Sequence, residues 1–496
     1  MSKYFYDMLP AEEFAQLKYF PTTAEFVQWI GEKWADRVAV SNLTESYTYA
    51  QMCERIARRR AFLYAQGLKK GDKVAIFERN SIDAVEMFLA VTSAGFVAIN
   101  LPSMLPAPAV AGSCKKFDVS LLVVRDEFKE MVAELPVKMV PSSSMAEEGA
   151  PVAEIDKEES AAIFFTGGTT GAPKGAVLPH RALMRGSYNA CFAPGSQMGG
   201  ERFVGLLPLS HVFGLIFSTM GCFYTGGTWF AAEDMKATIS KLPVIKPTKL
   251  VLVPGLCDVL VGLAKMYGPQ FLGGSLKLII TGAALVPPRL AVEFEKMGIK
   301  LCAGYGMTEG ANLTSACVET TEKPDSVGKI YPGIETKVVD GELWFRGDNT
   351  FTGYYNDPEN TAATLTEDGW VKTGDLVRFD EEGYLYITGR IKNLIILSNG
   401  ENISPEVIEE HFYKVPTVKD CLVSEKVVDG EGVIAIEILP NMPAFEGKSW
   451  EDVEAYFNKL VNDINATLPS VQRVSKLTVR REDFKRTGSL KVARNQ

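Results

Sequence analysis

Phe164-Phe165-Thr166-Gly167-Gly168-Thr169-Thr170-Gly171-Ala172-Pro173-Lys174-Gly175 is a turn rich in glycine and hydroxyl groups. It follows the apolar run Ala161 to Phe165, which predicts a buried strand. Glycines let the backbone approach a ligand closely, so N–H groups and threonine hydroxyls can converge on anionic oxygens, while Lys174 adds a positive charge. The stretch therefore predicts a phosphate-binding loop, although taken alone it also fits a plain Gly/Thr turn between strands.

The loop differs from a Walker loop. A Walker loop needs Gly-Lys-Ser/Thr at the start of a helix. Here Pro173 precedes Lys174, Gly175 follows it, and Ala176-Val177-Leu178 continues as a strand. The sequence therefore predicts a phosphate-binding loop that connects two strands.

Composition narrows the class of protein. The chain has 496 residues, of which 46% are hydrophobic and 23% charged, as in soluble proteins of more than one domain. A net charge of -9 argues against a broad nucleic-acid surface. The basic cluster Arg58-Arg59-Arg60 lies in a helical stretch and is interpreted as a solvent-exposed face.

Cysteine usage and the apolar segments bear on the compartment. The eight cysteines include no C-x-x-C, and the three histidines lie far apart, which favours reduced thiols in a cytosol and no zinc site. The N-terminus carries no signal pattern, and Val212 to Phe230 is interrupted by glycines. We therefore expect a cytoplasmic protein without a transmembrane segment.

Strand and helix patterns alternate in the first part of the chain. The predicted elements are Lys73 to Phe77 (strand), Ser81 to Ala94 (helix), Phe96 to Asn100 (strand) and Val119 to Val124 (strand). A second α/β run covers 176–318, with strands near Gly205 to Pro208, Lys249 to Pro254, Leu276 to Thr281 and Lys300 to Ala303. This alternation predicts mostly parallel sheets with helices on both faces.

The pattern changes twice further along. Between Val327 and Asp380, short strands with glycine turns predict a small β-barrel-like subdomain. After residue 391, Ser404-Pro405-Glu406 predicts a helix start with a serine N-cap, and the strands and helices that follow form a compact α+β unit. We expect a large N-terminal domain of residues 1–390 and a small C-terminal domain of residues 391–496.

Four further stretches carry chemical groups. Gly304 to Glu309 offers an aromatic ring, a hydroxyl and a carboxylate, which suit a base, a phosphate and a hard cation. Val371 to Leu376 presents Asp375 to a ribose diol. Tyr386 to Lys392 and Lys485 to Arg494 add basic residues at the boundary and at the C-terminus. Each stretch alone also fits a turn cap, a solvated linker or a frayed terminus, and only their joint order is specific.

In these motifs, and over nearly its whole length, the sequence resembles the acyl-adenylate-forming superfamily, which contains acyl- and aryl-CoA synthetases, amino-acid adenylation domains and beetle luciferases. The acyl- and aryl-CoA synthetase branch is the most similar. Further stretches that look like family blocks are Ser46 to Tyr49, Ala94 to Pro102, Gly341 to Gly347 and Gly353 to Asn356.

The resemblance implies a role for individual residues. The ATP phosphates would be bound by Thr166, Gly167, Gly168, Thr169, Thr170, Gly171 and Lys174, and the adenosine by Gly282, Ala283, Ala284, Tyr305, Gly306, Asp375 and Arg390. Thr308 would contact the α-phosphate, Glu309 would hold Mg²⁺, and Lys491 would bridge the acyl carboxylate and the α-phosphate. Lys392 matches the hinge position, and Ser398, Asn399 and Gly400 would face CoA.

The acid itself is indicated only as a class. Leu207 to Gly214 resembles the block that lines the acyl pocket, which His211, Phe213, Gly304 and Met307 would form. Amino-acid-activating relatives place an Asp in this block, and none stands here, so an apolar fatty or aromatic acid fits best. His211 also fits a hydrogen-bonded core histidine.

The resemblance therefore implies an ATP-dependent carboxylic acid–CoA ligase. Such an enzyme converts the acid to acyl-AMP with release of pyrophosphate and then transfers the acyl group to the CoA thiol. One alternative is a freestanding enzyme that loads the phosphopantetheine of a carrier protein. A non-catalytic ATP-binding relative is disfavoured, because Lys174, Glu309, Asp375, Arg390 and Lys491 are all present. We expect a monomer or a homodimer.

Overall fold

The computed structural model describes residues 17–166, 174–192, 197–316, 318–396, 402–428, 431–485, 492 and 494. Within these ranges, no helix combines the length and the apolar character that crossing a bilayer requires. The α-helices are Thr23–Lys33, Tyr49–Ala65, Ile82–Ser93, Ala107–Lys116, Lys129–Val132, His180–Asn189, Gly221–Tyr224, Met235–Ser240, Leu242–Ile245, Pro254–Tyr267, Pro288–Glu295, Pro358–Thr364, Pro405–Tyr413 and Trp450–Asn465. A π-helix spans Phe213–Met220.

The largest sheet has seven strands. In spatial order these are Gly353–Tyr354, Lys174–Pro179, Ser160–Thr166, Val97–Leu101, Lys73–Phe77, Val119–Val124 and Met139–Pro141. The last five are parallel to one another, whereas Lys174–Pro179 runs antiparallel to both of its neighbours. The two strands predicted on either side of the phosphate-binding loop are thus confirmed. The loop residues between them, 167–173, lie outside the described part of the chain.

Two four-stranded sheets stand beside the largest one. The first contains Ser46–Thr48, Val38–Ser41, Thr228–Phe230 and Arg202–Val204, and the second contains Lys249–Leu252, Leu278–Thr281, Lys300–Ala303 and Val318–Glu319. The strand predicted near Gly205 to Pro208 is wrong by several residues. The strand ends at Val204, and a Cβ atom at Gly205 would lie 2.3 Å from the Trp229 ring. Gly205 therefore allows the chain to pass close to that ring.

The barrel-like subdomain is a four-stranded antiparallel sheet of Ile334–Val339, Glu342–Gly347, Val371–Phe379 and Leu385–Arg390. Short two-stranded pairs join Gly306–Met307 to Asn312–Leu313, Ser315–Ala316 to Lys329–Ile330, and Ile395–Ile396 to Asn402–Ile403. The C-terminal sheet contains Val418–Val428, Glu431–Pro440 and Lys476–Val479. The whole is the α/β architecture predicted, with a small α+β unit at its end.

Residues after 391 have a hydrophobic core of their own. Phe412, Ile436 and Phe457 belong to it, and it is separate from the principal core of the preceding residues. The C-terminal residues thus pack around a core of their own, which begins at Ile395, and the boundary between residues 390 and 391 stays a prediction. Ser404 does precede helix Pro405–Tyr413, but its hydroxyl donates to the Glu406 carboxylate and does not cap a backbone N–H.

The arginine cluster does not form a solvent-exposed face, so that prediction is wrong. Arg59 is fully buried, and its guanidinium pairs with Glu86 at 2.9 Å and also with Asp83. Arg60 is buried as well and donates to the carbonyl of Ala150 at 2.9 Å. The helix carrying these arginines packs against helix Ile82–Ser93, whose acids compensate the buried charge.

Candidate active site

Glu309 is a buried carboxylate in a turn that contacts strand Ser160–Thr166, the strand before the predicted phosphate loop (the phosphate strand), and strand Lys174–Pro179. It lies in the short 3₁₀ turn Thr308–Gly310, is only 6% exposed, and its backbone carbonyl accepts the Phe351 N–H at 2.9 Å. The Tyr354 hydroxyl donates to its Oε1. Burial raises the pKa of the Glu309 carboxyl, and the hydrogen bond from Tyr354 opposes that rise. Because burial disfavours the charged form of Glu309, its carboxylate needs a cation nearby to stay ionised.

Lys174 also contacts Tyr354. It begins its strand directly opposite Thr166, and its Nζ lies 5.0 Å from the centroid of the Tyr354 ring. Its ammonium also donates to the amide oxygen of Asn360, which Asp357 holds in place through a hydrogen bond of 2.8 Å. A cation is therefore held beside Glu309 by a ring and an amide.

Tyr305, Asp375 and Arg390 form a second group. The Tyr305 hydroxyl donates to Asp375 Oδ2 at 2.6 Å, and Arg390 Nε lies 2.9 Å from Asp375 Oδ1. Asp375 and Arg390 are direct neighbours across two antiparallel strands. Burial raises the pKa of the Tyr305 hydroxyl well above its ordinary value, and the neighbouring Asp375 adds to the effect. The aromatic, acid and base predicted for a nucleoside thus meet at one point.

The two groups belong to one site because Tyr305 and Glu309 are four positions apart in one segment of chain. Both Arg390 and Lys174 act electrostatically on the Glu309 carboxyl and lower its pKa. Gly306 and Met307 lie between the two groups, in a short strand that pairs with Asn312–Leu313. The residues predicted for phosphate, cation and ribose are therefore neighbours in space.

The turn predicted to flank adenine lies beside the predicted acyl pocket. Gly282 follows strand Leu278–Thr281, and a Cβ atom there would stand 2.8 Å from the Gly304 carbonyl and 3.9 Å from the Phe213 ring. Ala283 has a φ of 66°, which tightens the turn, and both Ala283 and Ala284 are exposed. Only glycine fits at position 282, because a side chain there would collide with the Gly304 carbonyl.

His211 lies at the end of a segment that two asparagines hold. Asn80 donates to the carbonyls of Gly205 and Leu207 at 2.6 and 2.8 Å, and Asn100 donates to the Leu209 carbonyl at 3.0 Å. His211 itself is partly exposed and lies two positions before Phe213, where the π-helix begins. Wide helical turns of this kind occur frequently at functional sites.

Sequence reasoning missed Tyr354, Asn360, Asn80 and Asn100. The stretch Gly353 to Asn356 was recognisable as a family block, but its partner Glu309 stands 45 positions away, and no periodicity reports such a contact. Asn80 follows strand Lys73–Phe77 by three residues, and Asn100 is a buried polar residue in strand Val97–Leu101. A buried polar side chain needs a hydrogen-bond partner, which is a signal that sequence reasoning could have used for Asn100.

Several predicted site residues lie outside the described part of the chain. These are Gly167, Gly168, Thr169, Thr170 and Gly171 of the phosphate loop, Ser398, Asn399 and Gly400 of the CoA-facing loop, and Lys491. Their roles stay predictions, as does that of Lys392, which is exposed in the 3₁₀ turn Ile391–Asn393.

The model of the AMP-binding enzyme family matches residues 27–355, and the model of the AMP-binding enzyme C-terminal domain matches residues 392–496. The chain belongs to the AMP-binding enzyme family. The first match contains Lys174 and the Tyr305–Glu309 segment together with Tyr354.

Two curated relatives illustrate the family. The feruloyl-CoA synthase of Amycolatopsis sp is 30% identical over 407 residues, covering 78% of this chain and 82% of its own length. The long-chain-fatty-acid–CoA ligase of Bacillus subtilis (strain 168) is 27% identical over 455 residues, covering 79% and 80% respectively. Aromatic and aliphatic acids thus both occur among the names of similar proteins.

A solved structure supports the fold. The O-succinylbenzoate coenzyme A synthetase of Bacillus subtilis, in complex with ATP and magnesium ion, superposes with a TM-score of 0.78 at 23% identity. The match covers 95% of this chain and 98% of that one. At this level of identity the likeness establishes the common family fold.

Proposed function

We propose that this protein is an ATP-dependent carboxylic acid–CoA ligase. It joins an apolar fatty or aromatic acid to AMP, releases pyrophosphate, and then transfers the acyl group to the thiol of CoA. The observation that carries the proposal is the meeting of Lys174, Tyr354 and Glu309 with Tyr305, Asp375 and Arg390 around one segment of chain.

The proposed reaction has an electrostatic difficulty. A carboxylate must approach a polyanionic phosphate, so two negative charges meet in the transition state, and cations that are already in place stabilise that charge. Lys174 supplies one positive charge beside the phosphate strand, and Lys491 supplies the second, at the acyl carboxylate. Asp375, held by Tyr305 and Arg390, orients the ribose so that the α-phosphate faces the acid.

The donor set around Glu309 fits magnesium. Among the described residues, no group of three or more His, Cys, Asp or Glu side chains could hold a metal ion without further ligands. Magnesium in nucleotide sites keeps several waters and binds through one or two carboxylates plus phosphate oxygens, which one buried glutamate satisfies. When bound, the ion would neutralise phosphate charge, and Glu309 would hold it.

The acyl pocket favours an apolar acid. The Phe213 ring lies beside Gly282, and Met307 stands in the short strand that leads to Thr308. These side chains supply no charge that would select an ammonium or a second carboxylate. The names of the two relatives are consistent with either an aromatic or an aliphatic acid.

A pyrophosphate-release assay over short, medium, long and aromatic acids, with and without CoA, tests the proposal. We expect release that depends on the acid, and thioester formation only when CoA is added. Glu309→Gln should lower the adenylation rate by roughly 10²-fold, since the residue holding the cation loses its charge.

Replacing CoA by a holo-carrier protein distinguishes the CoA ligase from the carrier-loading enzyme. CoA alone should accelerate turnover of a CoA ligase, and the holo-carrier alone should accelerate turnover of a carrier-loading enzyme. Absence of acid-dependent exchange of labelled pyrophosphate into ATP across the whole panel would refute the ligase and favour a non-catalytic nucleotide-binding protein.

A further inference from the structure

One stretch of this acidic chain is basic. Between Met235 and Ile280 the only acid is Asp258, whereas the same stretch carries the lysines Lys236, Lys241, Lys246, Lys249, Lys265 and Lys277. Asp258 is already paired with the Arg289 guanidinium. Because the whole chain has a net charge of -9, this stretch concentrates positive charge in one part of an otherwise acidic molecule.

Two of these lysines are paired with acids and the other four are not. Lys249 is buried, and its Nζ lies 2.8 Å from Glu201 Oε1. Lys265 Nζ lies 2.6 Å from Glu293 Oε2. Within the described ranges, no ion pair is formed by the remaining exposed lysines Lys236, Lys241, Lys246 and Lys277. Their charge is therefore available to a partner.

Lys246 and Lys277 lie next to Arg202, where three strands begin. The Thr248 N–H donates to the Arg202 carbonyl at 3.1 Å, and the Lys277 N–H donates to the Thr248 carbonyl at 3.1 Å. Arg202 Nε in turn donates to the Lys246 carbonyl at 2.7 Å. The three cations thus come from adjacent segments at the amino ends of strands Arg202–Val204, Lys249–Leu252 and Leu278–Thr281.

Three apolar side chains near these cations are exposed. Val244 and Met266 are each 71% exposed, and Tyr267 is 58% exposed. The Tyr267 ring stacks on Phe271, with 5.4 Å between the ring centroids. Transfer of such side chains from water into an apolar partner is favourable. Exposed apolar side chains that lie together mark a surface for interaction.

The turn after Tyr267 connects the apolar residues to the cations. The 3₁₀ turn Pro269–Leu272 contacts both the helix that ends at Tyr267 and the helix that carries Val244. A Cβ atom at Gly273, the next residue, would lie 2.8 Å from Lys246 Cα. These residues therefore form one surface, called here the basic surface and defined by Lys241, Val244, Lys246, Met266, Tyr267 and Lys277.

We propose that the basic surface binds the anionic face of a lipid bilayer. Acidic headgroups attract the lysine ammonium groups, and this attraction needs no specific pocket. Val244, Met266 and Tyr267 enter the boundary between headgroups and acyl chains, where the tyrosine ring finds apolar surroundings and its hydroxyl stays in water. Stable surface binding takes two signals, and here charge and apolar contact supply them together.

The position of the basic surface favours a bilayer over an acidic carrier protein. Strand Leu278–Thr281 leads from Lys277 at its amino end to Gly282 at its carboxyl end, where the Phe213 ring lies. A carrier protein would have to bring its thiol to the predicted acyl site at that carboxyl end, about 13 Å along the strand from the basic surface. A bilayer needs no such reach.

Sedimentation of the full-length protein with vesicles tests the proposal. Vesicles of phosphatidylcholine with about 30 mol% phosphatidylglycerol should bind the wild type at least about 10-fold more tightly than vesicles of phosphatidylcholine alone. Raising the salt concentration from about 0.1 M to about 0.5 M should weaken binding to the anionic vesicles by roughly 5-fold or more, because salt screens exposed charges. Neither ATP nor an acid is present, so the result does not depend on the proposed function.

Substitutions on the basic surface should weaken this binding. A lysine near an anionic membrane contributes about 5-fold to affinity, so Lys246→Gln/Lys277→Gln should bind roughly 25-fold more weakly. Met266→Ser, which removes exposed apolar surface, should bind roughly 5-fold more weakly. The matched control Lys69→Gln/Lys476→Gln removes two exposed lysines elsewhere, one before the largest sheet and one in the C-terminal sheet. It should bind as the wild type does.

Either of two results overturns the proposal: equal binding of the wild type to anionic and neutral vesicles, or wild-type binding by Lys246→Gln/Lys277→Gln. Salt-sensitive binding of an acidic holo-carrier protein without any vesicle binding would also overturn it and assign the surface to a protein partner. If circular dichroism shows that the double variant does not fold, the single variant Lys246→Gln, expected to bind about 5-fold more weakly, decides by the same criterion.

Pyrophosphate release separates vesicle binding from the proposed function. Without vesicles, Lys246→Gln/Lys277→Gln should release pyrophosphate at the wild-type rate with a water-soluble acid, because neither lysine belongs to the groups assigned to ATP or the acid. A wild type that releases no pyrophosphate with any acid would refute the proposed function, while vesicle sedimentation would still decide whether the basic surface binds a bilayer.

Discussion

At the scale of single residues, the hydrogen bond from Tyr354 to Glu309 sets the charge of the proposed cation site. Removing the hydroxyl in Tyr354→Phe leaves a buried carboxylate without that donor, and the pKa of Glu309 should rise further, because the hydrogen bond lowers it. We expect adenylation to fall by roughly 10-fold. The acid limb of its pH profile should move to higher pH in a pyrophosphate-release assay.

Tyr355 offers a control at the adjacent position. Its hydroxyl donates to Asp118 at 2.7 Å in an exposed contact away from Glu309. Tyr355→Phe should therefore keep both the rate and the pH profile of the wild type. A Tyr354→Phe variant whose profile coincides with that of Tyr355→Phe would contradict the role given to the hydrogen bond.

His180 provides a prediction about stability. Its ring is fully buried, and its Nδ1 lies 3.4 Å from the Thr23 N–H and 3.2 Å from the Thr23 hydroxyl. Burial lowers the pKa of His180 from 6.5 to about 4. Between pH 6.5 and 4, His180 therefore binds a proton in the unfolded chain and stays neutral in the folded chain. The resulting stability is fully present above pH 6.5 and is lost as the pH falls from 6.5 towards 4.

The size of this effect is roughly 3 kcal/mol, taking about 1.4 kcal/mol per pKa unit. Urea unfolding at pH 7.5 and at pH 5 measures the larger part of it, since the remainder appears only as the pH falls to 4 and below. In His180→Gln the difference in the free energy of unfolding between the two pH values should shrink by about 2 kcal/mol, whatever the absolute stability. Equal pH dependence in His180→Gln and wild type would refute the argument.

The kind of ligand that a side chain suits could be predicted from the sequence, whereas the other side chains that it contacts in the fold could not. The sequence predicts a cation site at Glu309 and a ribose site at Asp375, because carboxylates in glycine turns suit those ligands, and both roles stay predictions. That Arg59 is buried could not be predicted, because periodicity within one helix does not reveal Glu86 on another helix. The same limit hid Tyr354, whose hydroxyl meets a carboxylate from a distant turn.

At the scale of elements, helix His180–Asn189 supports the segment that follows Glu309. A Cβ atom at Gly186 would lie 2.1 Å from the Ala311 carbonyl, so the helix packs directly on that backbone. Ala311 has a φ of 49°, and its N–H donates to the Thr308 carbonyl at 3.0 Å. The position of the carboxylate thus depends on a glycine in a helix of another part of the chain.

Gly186→Ala should therefore displace the turn. We expect the free energy of unfolding to fall by about 1–3 kcal/mol and the adenylation rate to fall by roughly 10-fold or more. Gly262→Ala is the control: it is also helical, no atom lies within 4 Å of its added Cβ, and it should stabilise by about 0.5–1 kcal/mol. Chemical denaturation and pyrophosphate release measure both. Wild-type stability and rate in Gly186→Ala would show that the turn does not depend on this packing.

Element positions followed from local pattern where the pattern was strong. Ser160–Thr166 and Lys174–Pro179 were predictable from apolar runs, and helix Ile82–Ser93 from its serine N-cap and periodicity. The strand placed near Gly205 was wrong, because Asn80 and the Trp229 ring hold that stretch through tertiary contacts that the local sequence does not contain.

At the scale of the whole molecule, the contacts between the large unit and the C-terminal unit (residues 391–496) include weak ones. Lys414 lies 3.3 Å from Asp325 and is half exposed, and Arg289 donates to the Lys419 carbonyl at 3.4 Å. Exposed ion pairs contribute at most about 1 kcal/mol. Exchanging these contacts for others therefore costs little, as would be required if the C-terminal unit swings about the predicted hinge residue Lys392 between one orientation for adenylation and another for thioester formation.

The proposed division of labour between the two orientations leads to a prediction for Lys491. Lys491→Ala should lose roughly 10²-fold or more in acid-dependent pyrophosphate release, because the acyl carboxylate and the α-phosphate lose the cation that bridges them. It should still convert supplied acyl-AMP and CoA to thioester near the wild-type rate, since that step needs no such cation. Lys485→Ala, an exposed lysine six residues earlier, should leave both steps unchanged. Equal losses in the two steps would mean that one orientation serves both, because the same lysine would then be needed throughout.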